Sequence, residues 1–107
     1  MMSSYYFDGL DSNYFVKKVL SEKSKSLKST FNLKGSDKIS WSCYKFKQLY
    51  TVELSLYSKP YRYNNRDRGD KFSSVINSVT NQLTIRLKAH RIKEAEDEAF
   101  FSPSATL

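Results

Sequence analysis

At 107 residues the chain has room for one domain built on a single core. Its 39% hydrophobic and 15% aromatic residues exclude global disorder, and no stretch reaches the ~20 apolar residues of a membrane helix. Lysine and arginine number 18 against 11 acids, a net +7; four acids are Glu94, Glu96, Asp97 and Glu98, so residues 1–93 hold 18 basic and 7 acidic side chains, a surplus that attracts polyanions.

Tyr5, Tyr6 and Phe7 suit a first strand, closed by a turn at Asp8 and Gly9. Ser12 is the expected cap of a helix from about Asn13 to Phe31. At 100° per residue Phe15, Val16, Val19, Leu20, Leu27 and Phe31 share one side of it, with Lys23 snorkelling on the same side. Lys17, Lys18, Lys25 and Lys28 fall on another side, within an arc of roughly 100°. Gly35, Ser36 and Asp37 make a turn. Ile39, Trp41 and Cys43 then alternate with Ser40, Ser42 and Tyr44, as a half-buried strand does.

From Tyr50 the alternation sharpens, with Val52, Leu54 and Leu56 opposed to Thr51, Glu53, Ser55 and Tyr57, until Lys59 and Pro60 end the strand. Tyr61 to Arg66 reads as a polar fourth strand, followed by a turn at Asp67, Arg68 and Gly69. Asp70 caps a second, longer helix. There Phe72, Ile76, Val79, Leu83, Leu87 and His90 form one stripe, with Lys88 and Arg91 pointing away and Arg86 and Lys93 flanking it. The expected division is a folded domain over 1–93 and an acidic, then flexible, C-terminal tail over 94–107. Two helices with one apolar face each, and a four-stranded sheet with one face to cover, predict a two-layer α+β domain in β-α-β-β-β-α order, both helices on one face.

The chemistry-bearing residues are sparse. Cys43 alternates with core residues, and a single cysteine excludes an internal disulfide and fits a reducing compartment. The beginning Met1-Met2-Ser3-Ser4-Tyr5 lacks a charged region followed by an apolar run, so a soluble cytoplasmic protein is expected. One histidine and one cysteine do not supply a zinc tetrad, and nothing supports a nucleophile pair; no metal, no cofactor and no small-molecule substrate are expected. His90 reads as a partly buried packing residue. Arg68-Gly69-Asp70 spells an adhesion tripeptide by chance. Tyr61, Arg62 and Tyr63 interleave aromatic and basic side chains, which suits either base stacking or ordinary strand preference.

The element order and one long segment resemble the ribosome hibernation-promoting factor and protein Y family of ribosome-associated inhibitors. The strand Leu49-Tyr50-Thr51-Val52-Glu53-Leu54-Ser55-Leu56 has the family's acidic residue at its centre. Gly69-Asp70-Lys71-Phe72-Ser73 stands where the family has an acidic-acidic-methionine-tyrosine loop. Ile76-Asn77, Val79, Asn81-Gln82-Leu83 and Leu87 then match its signature helix, and residues 49–93 align without a gap. Leu10-Asp11-Ser12 is similar to the entry into the family's first helix, one residue shorter. Gln82 replaces the usual Lys and Ile85 the common Arg, while Arg86 and Lys88 stand beside the expected basic positions.

The resemblance implies a non-enzymatic factor of the family's short form, lacking the C-terminal domain that pairs ribosomes. Such a factor occupies the mRNA and tRNA path in the decoding region of the small subunit and holds the ribosome in a hibernating state. The rRNA-binding residues it implies are Lys17, Lys18, Lys25, Lys28, Arg62, Arg86, Lys88, Arg91 and Lys93. Phosphate contacts by such residues supply affinity with little sequence information, which folded rRNA, recognised by shape and backbone, does not require. A general RNA-binding module and a basic protein–protein adaptor are the alternatives.

Overall fold

The computed structural model describes residues 2–10 and 14–101, with side chains described up to Lys93. The chain runs β1 (Met2–Asp8), α1 (Tyr14–Phe31), β2 (Lys38–Phe46), β3 (Leu49–Ser58), β4 (Tyr61–Gly69) and α2 (Phe72–Phe101). The sheet order is β1-β2-β3-β4; β1 lies parallel to β2 and the other pairs are antiparallel. A parallel pair needs a crossover, which α1 supplies, whereas two tight turns suffice for β2-β3-β4. This is the expected α+β architecture.

Strict alternation decides which face is covered. Tyr5, Trp41, Leu54 and Asn65 stand opposite one another across the four strands, as do Phe7, Cys43, Val52 and Asp67. Ile39, Trp41, Cys43, Val52, Leu54 and Leu56 are buried, and they share one core with Leu20, Leu27 and Phe31 of α1 and Val75, Ile76, Val79, Leu83 and Leu87 of α2. Both helices therefore cover the same face, and the other face is open. At the end of β1, Gly9 has φ +77°, and a Cβ there would meet the Lys45 carbonyl oxygen at 2.1 Å; only glycine fits.

Two local expectations are corrected. Phe15 is 75% and Val19 43% exposed, because α1 meets the sheet along the narrower seam Leu20, Ser24, Leu27 and Phe31. Ser24 enters that seam because its hydroxyl oxygen accepts the Trp41 indole N–H at 2.8 Å. Asp67, Arg68 and Gly69 are not a turn but the last residues of β4, paired with Val52, Thr51 and Tyr50. Continued pairing with β3 outweighs their turn chemistry, and the Asp67 carboxylate accepts hydrogen bonds from the Ser78 hydroxyl of α2 and the Arg68 amide. These bonds, the Ser78 one foremost, hold the Asp67 carboxyl below its usual range. The expected cap Ser12, with Asn13, lies outside the described residues, as do 102–107, while residues 94–98 fall within α2.

The buried Ser24–Trp41 bond makes a clear expectation. Ser24→Ala should cost ~1–3 kcal/mol in urea unfolding, because the indole N–H stays buried and loses its acceptor. A value well below that range would show that the bond contributes nothing beyond what water supplies.

Candidate nucleic-acid interface

The lysine arc of α1 is dictated by spacing, and the structure shows where it points. Lys17, Lys18, Lys25 and Lys28 are all exposed, and among the described residues none of them is ion-paired. Phe15, Val16 and Val19 line an apolar groove with Phe72 and Ile76 of α2. That flank of α1 faces α2, so the lysine arc lies on the flank away from it. Lys17, Lys18 and Lys25 border one depression with Tyr14, Ser21 and Glu22, and Lys28 stands a turn beyond.

The basic residues of α2 divide into two kinds. Arg86 donates to the Asn64 carbonyl of β4, and Arg91 donates to the Phe31 carbonyl at the end of α1. The Arg91 guanidinium also lies over the Phe31 ring at 5.4 Å. Each arginine thus fastens α2 to a neighbour, and a guanidinium with five N–H groups retains donors for a second partner. Lys88 and Lys93 are exposed. Arg91 brings the α2 cluster to the end of α1, one turn from Lys28.

Arg62 is set apart from both clusters. It pairs with Tyr57 on the open face of the sheet, its guanidinium 5.5 Å from that ring. Its sequence neighbours point the other way. The Tyr63 hydroxyl is 2.8 Å from His90 Nδ1, and the Tyr61 ring meets the His90 ring edge-on at 4.1 Å. The interleaved Tyr61, Arg62 and Tyr63 therefore do not form one stacking surface, and His90 is the packing residue its stripe position suggested. Lys34 and Lys59 gather beside Tyr61, His90 and Arg91 around a depression of about 250 Å³. Sequence reasoning missed this corner, because its residues come from a loop, a turn, β4 and α2.

Burial pushes the Cys43 thiol up to about 12, so it stays protonated at neutral pH. Among the described residues no three His, Cys, Asp or Glu side chains converge. No helix among them is long and apolar enough to cross a membrane.

Fold and surface together define a class: a small α+β domain with one helical layer carrying exposed cationic clusters. No protein-family model and no curated protein matches the sequence. Solved structures do share the fold. A ribosomal subunit interface protein from Coxiella burnetii superposes with a TM-score of 0.71 at 11% identity, over 86% of this chain and 99% of that one. The N-terminal domain of Protein Y from Thermus thermophilus gives 0.72 at 9% identity, over 81% and 94%. The resemblance drawn from residues 49–93 and the whole-chain architecture thus lead to the same fold.

Proposed function

We propose that the chain binds the ribosome at the mRNA and tRNA decoding region of the small subunit and holds it inactive. The observation that carries this reading is the fold shared, over nearly their whole length, with a ribosomal subunit interface protein and the Protein Y domain. The exposed lysine arc supports it, since phosphate neutralisation by Lys and Arg supplies position and affinity on RNA. The protein acts here by filling space, so no catalytic group is required. Lys17, Lys18, Lys25 and Lys28 on α1, with Lys88, Lys93 and the exposed Arg86 and Arg91 on α2, are the proposed rRNA contacts.

The test is sedimentation with intact ribosomes across a salt series, together with peptide synthesis in a reconstituted system. The expected result is a stoichiometric, salt-sensitive ribosome peak and inhibition relieved by excess initiator tRNA and mRNA. Binding to isolated RNA without a ribosome peak would point to a general RNA-binding module instead. Unchanged peptide synthesis at saturating protein would end the silencing reading.

A further inference from the structure

The helices cover one face of the sheet, and the open face has a chemistry of its own. Register places its residues in rows that run across the strands. In one row Lys38, Tyr57 and Arg62 stand directly opposite one another on β2, β3 and β4. In the next row are Ser40, Ser55 and Asn64, with the Ser55 hydroxyl donating to the Asn64 side-chain oxygen at 2.9 Å. The two rows line a shallow depression of about 490 Å³. The acids of this face lie outside these two rows, Glu53 in the row next to Ser55. Glu53 is ion-paired with Arg66 at 3.4 Å, and Asp8 lies one row further away.

We propose that the row Lys38, Tyr57, Arg62 is a binding site for single-stranded RNA, distinct from the helical clusters and independent of the ribosome reading. An aromatic ring flanked by two cations matches the alternation of base and phosphate in a nucleic-acid strand. Adjacent strands are about 4.8 Å apart, so Lys38 and Arg62 rise on either side of the Tyr57 ring, within reach of the phosphates that bracket one stacked base. The Arg62 guanidinium lies over the Tyr57 ring, 5.5 Å from its centroid, so one π-face is covered by an exposed side chain rather than by the core. A base takes that seat as Arg62 turns to a phosphate. Ser40, Ser55 and Asn64 then face the nucleotide with neutral donors and acceptors, the groups that hold a 2′-hydroxyl or a base edge. Only an unpaired base offers a free face to the ring, which selects single strands over duplex.

The experiment is fluorescence anisotropy of a labelled oligouridylate with the full chain at several salt concentrations. Binding is expected to weaken roughly tenfold or more in Tyr57→Ala, the usual effect of removing one stacked base, and to persist in Tyr57→Phe. Lys38→Gln with Arg62→Gln should weaken it and flatten its salt dependence, and duplex RNA of equal length should compete poorly. Melting midpoints confirm that each variant is folded. Ribosome sedimentation of Tyr57→Ala should be unchanged, so failure at the sheet is separable from failure of the ribosome reading. The proposal is overturned if the oligonucleotide does not bind, if Tyr57→Ala binds as tightly as the parent, or if only the α1 lysines affect binding.

Discussion

Leu83→Ala should lower the unfolding free energy by ~2–5 kcal/mol. Leu83 is completely buried at the middle of the α2 stripe, between Val79 and Leu87 and in one core with Leu54 and Leu56 of β3. The cost has two parts: the forfeited transfer of the side chain from water, and the cavity left behind. The sheet wall on one side of that cavity is held by paired backbones, so it relaxes little. Alanine is the better helix former, so any change in helix propensity acts against the destabilisation and cannot produce it. Ile85 is the internal control: it sits two residues away on the same helix, is 68% exposed, and on truncation to alanine should shift stability by no more than ~0.5 kcal/mol. Urea unfolding of both variants decides the matter. Equal, small effects would mean that α2 is not held by this stripe.

The parts of the fold that local periodicity controls were legible in the sequence. Val52, Leu54 and Leu56 repeat every second residue, and Ile76, Val79, Leu83 and Leu87 every third or fourth, so their faces follow from backbone geometry. The misreadings arise where a distant partner decides. Phe15 and Val19 look like core residues of α1, but the buried seam runs instead through Ser24, whose hydroxyl accepts the Trp41 N–H from 17 positions away. Asp67, Arg68 and Gly69 look like a turn until β3 continues to pair with them. The same holds for the basic surface. The α1 lysines were legible because one helix collects them at fixed angles. The anchoring of Arg86 to Asn64 and of Arg91 to Phe31 was not, because each bond spans a long separation in sequence. Nor was the row Lys38, Tyr57 and Arg62, which exists only once the strands are in register. The fold is shared with the solved structures at only 9–11% identity, in keeping with cores that tolerate extensive substitution when volume and patterning are kept.

Replacing Lys17, Lys25 and Lys28 together by glutamine should weaken ribosome binding and flatten its salt dependence. Each phosphate that a lysine neutralises releases condensed counterion, so each lysine removed from the RNA reduces the slope of log affinity against log salt by ~0.7–0.9. Removing all three predicts a slope shallower by ~2–3, and an affinity deficit that is largest at low salt and shrinks as salt rises. The fold should not notice. All three side chains are exposed and, among the described residues, unpaired, and such charges rarely contribute more than ~1 kcal/mol each. The melting midpoint should therefore stay nearly constant, which separates a binding defect from a folding defect. Glu94, Glu96, Asp97 and Glu98 supply the opposite control, since neutralising them removes repulsion from phosphate and should leave binding equal or tighter. Ribosome sedimentation over a graded salt series gives the slopes. A triple lysine variant with the parent's slope would make the α1 arc an ordinary solvated face and shift the burden of binding to Lys88, Lys93 and the two anchored arginines of α2.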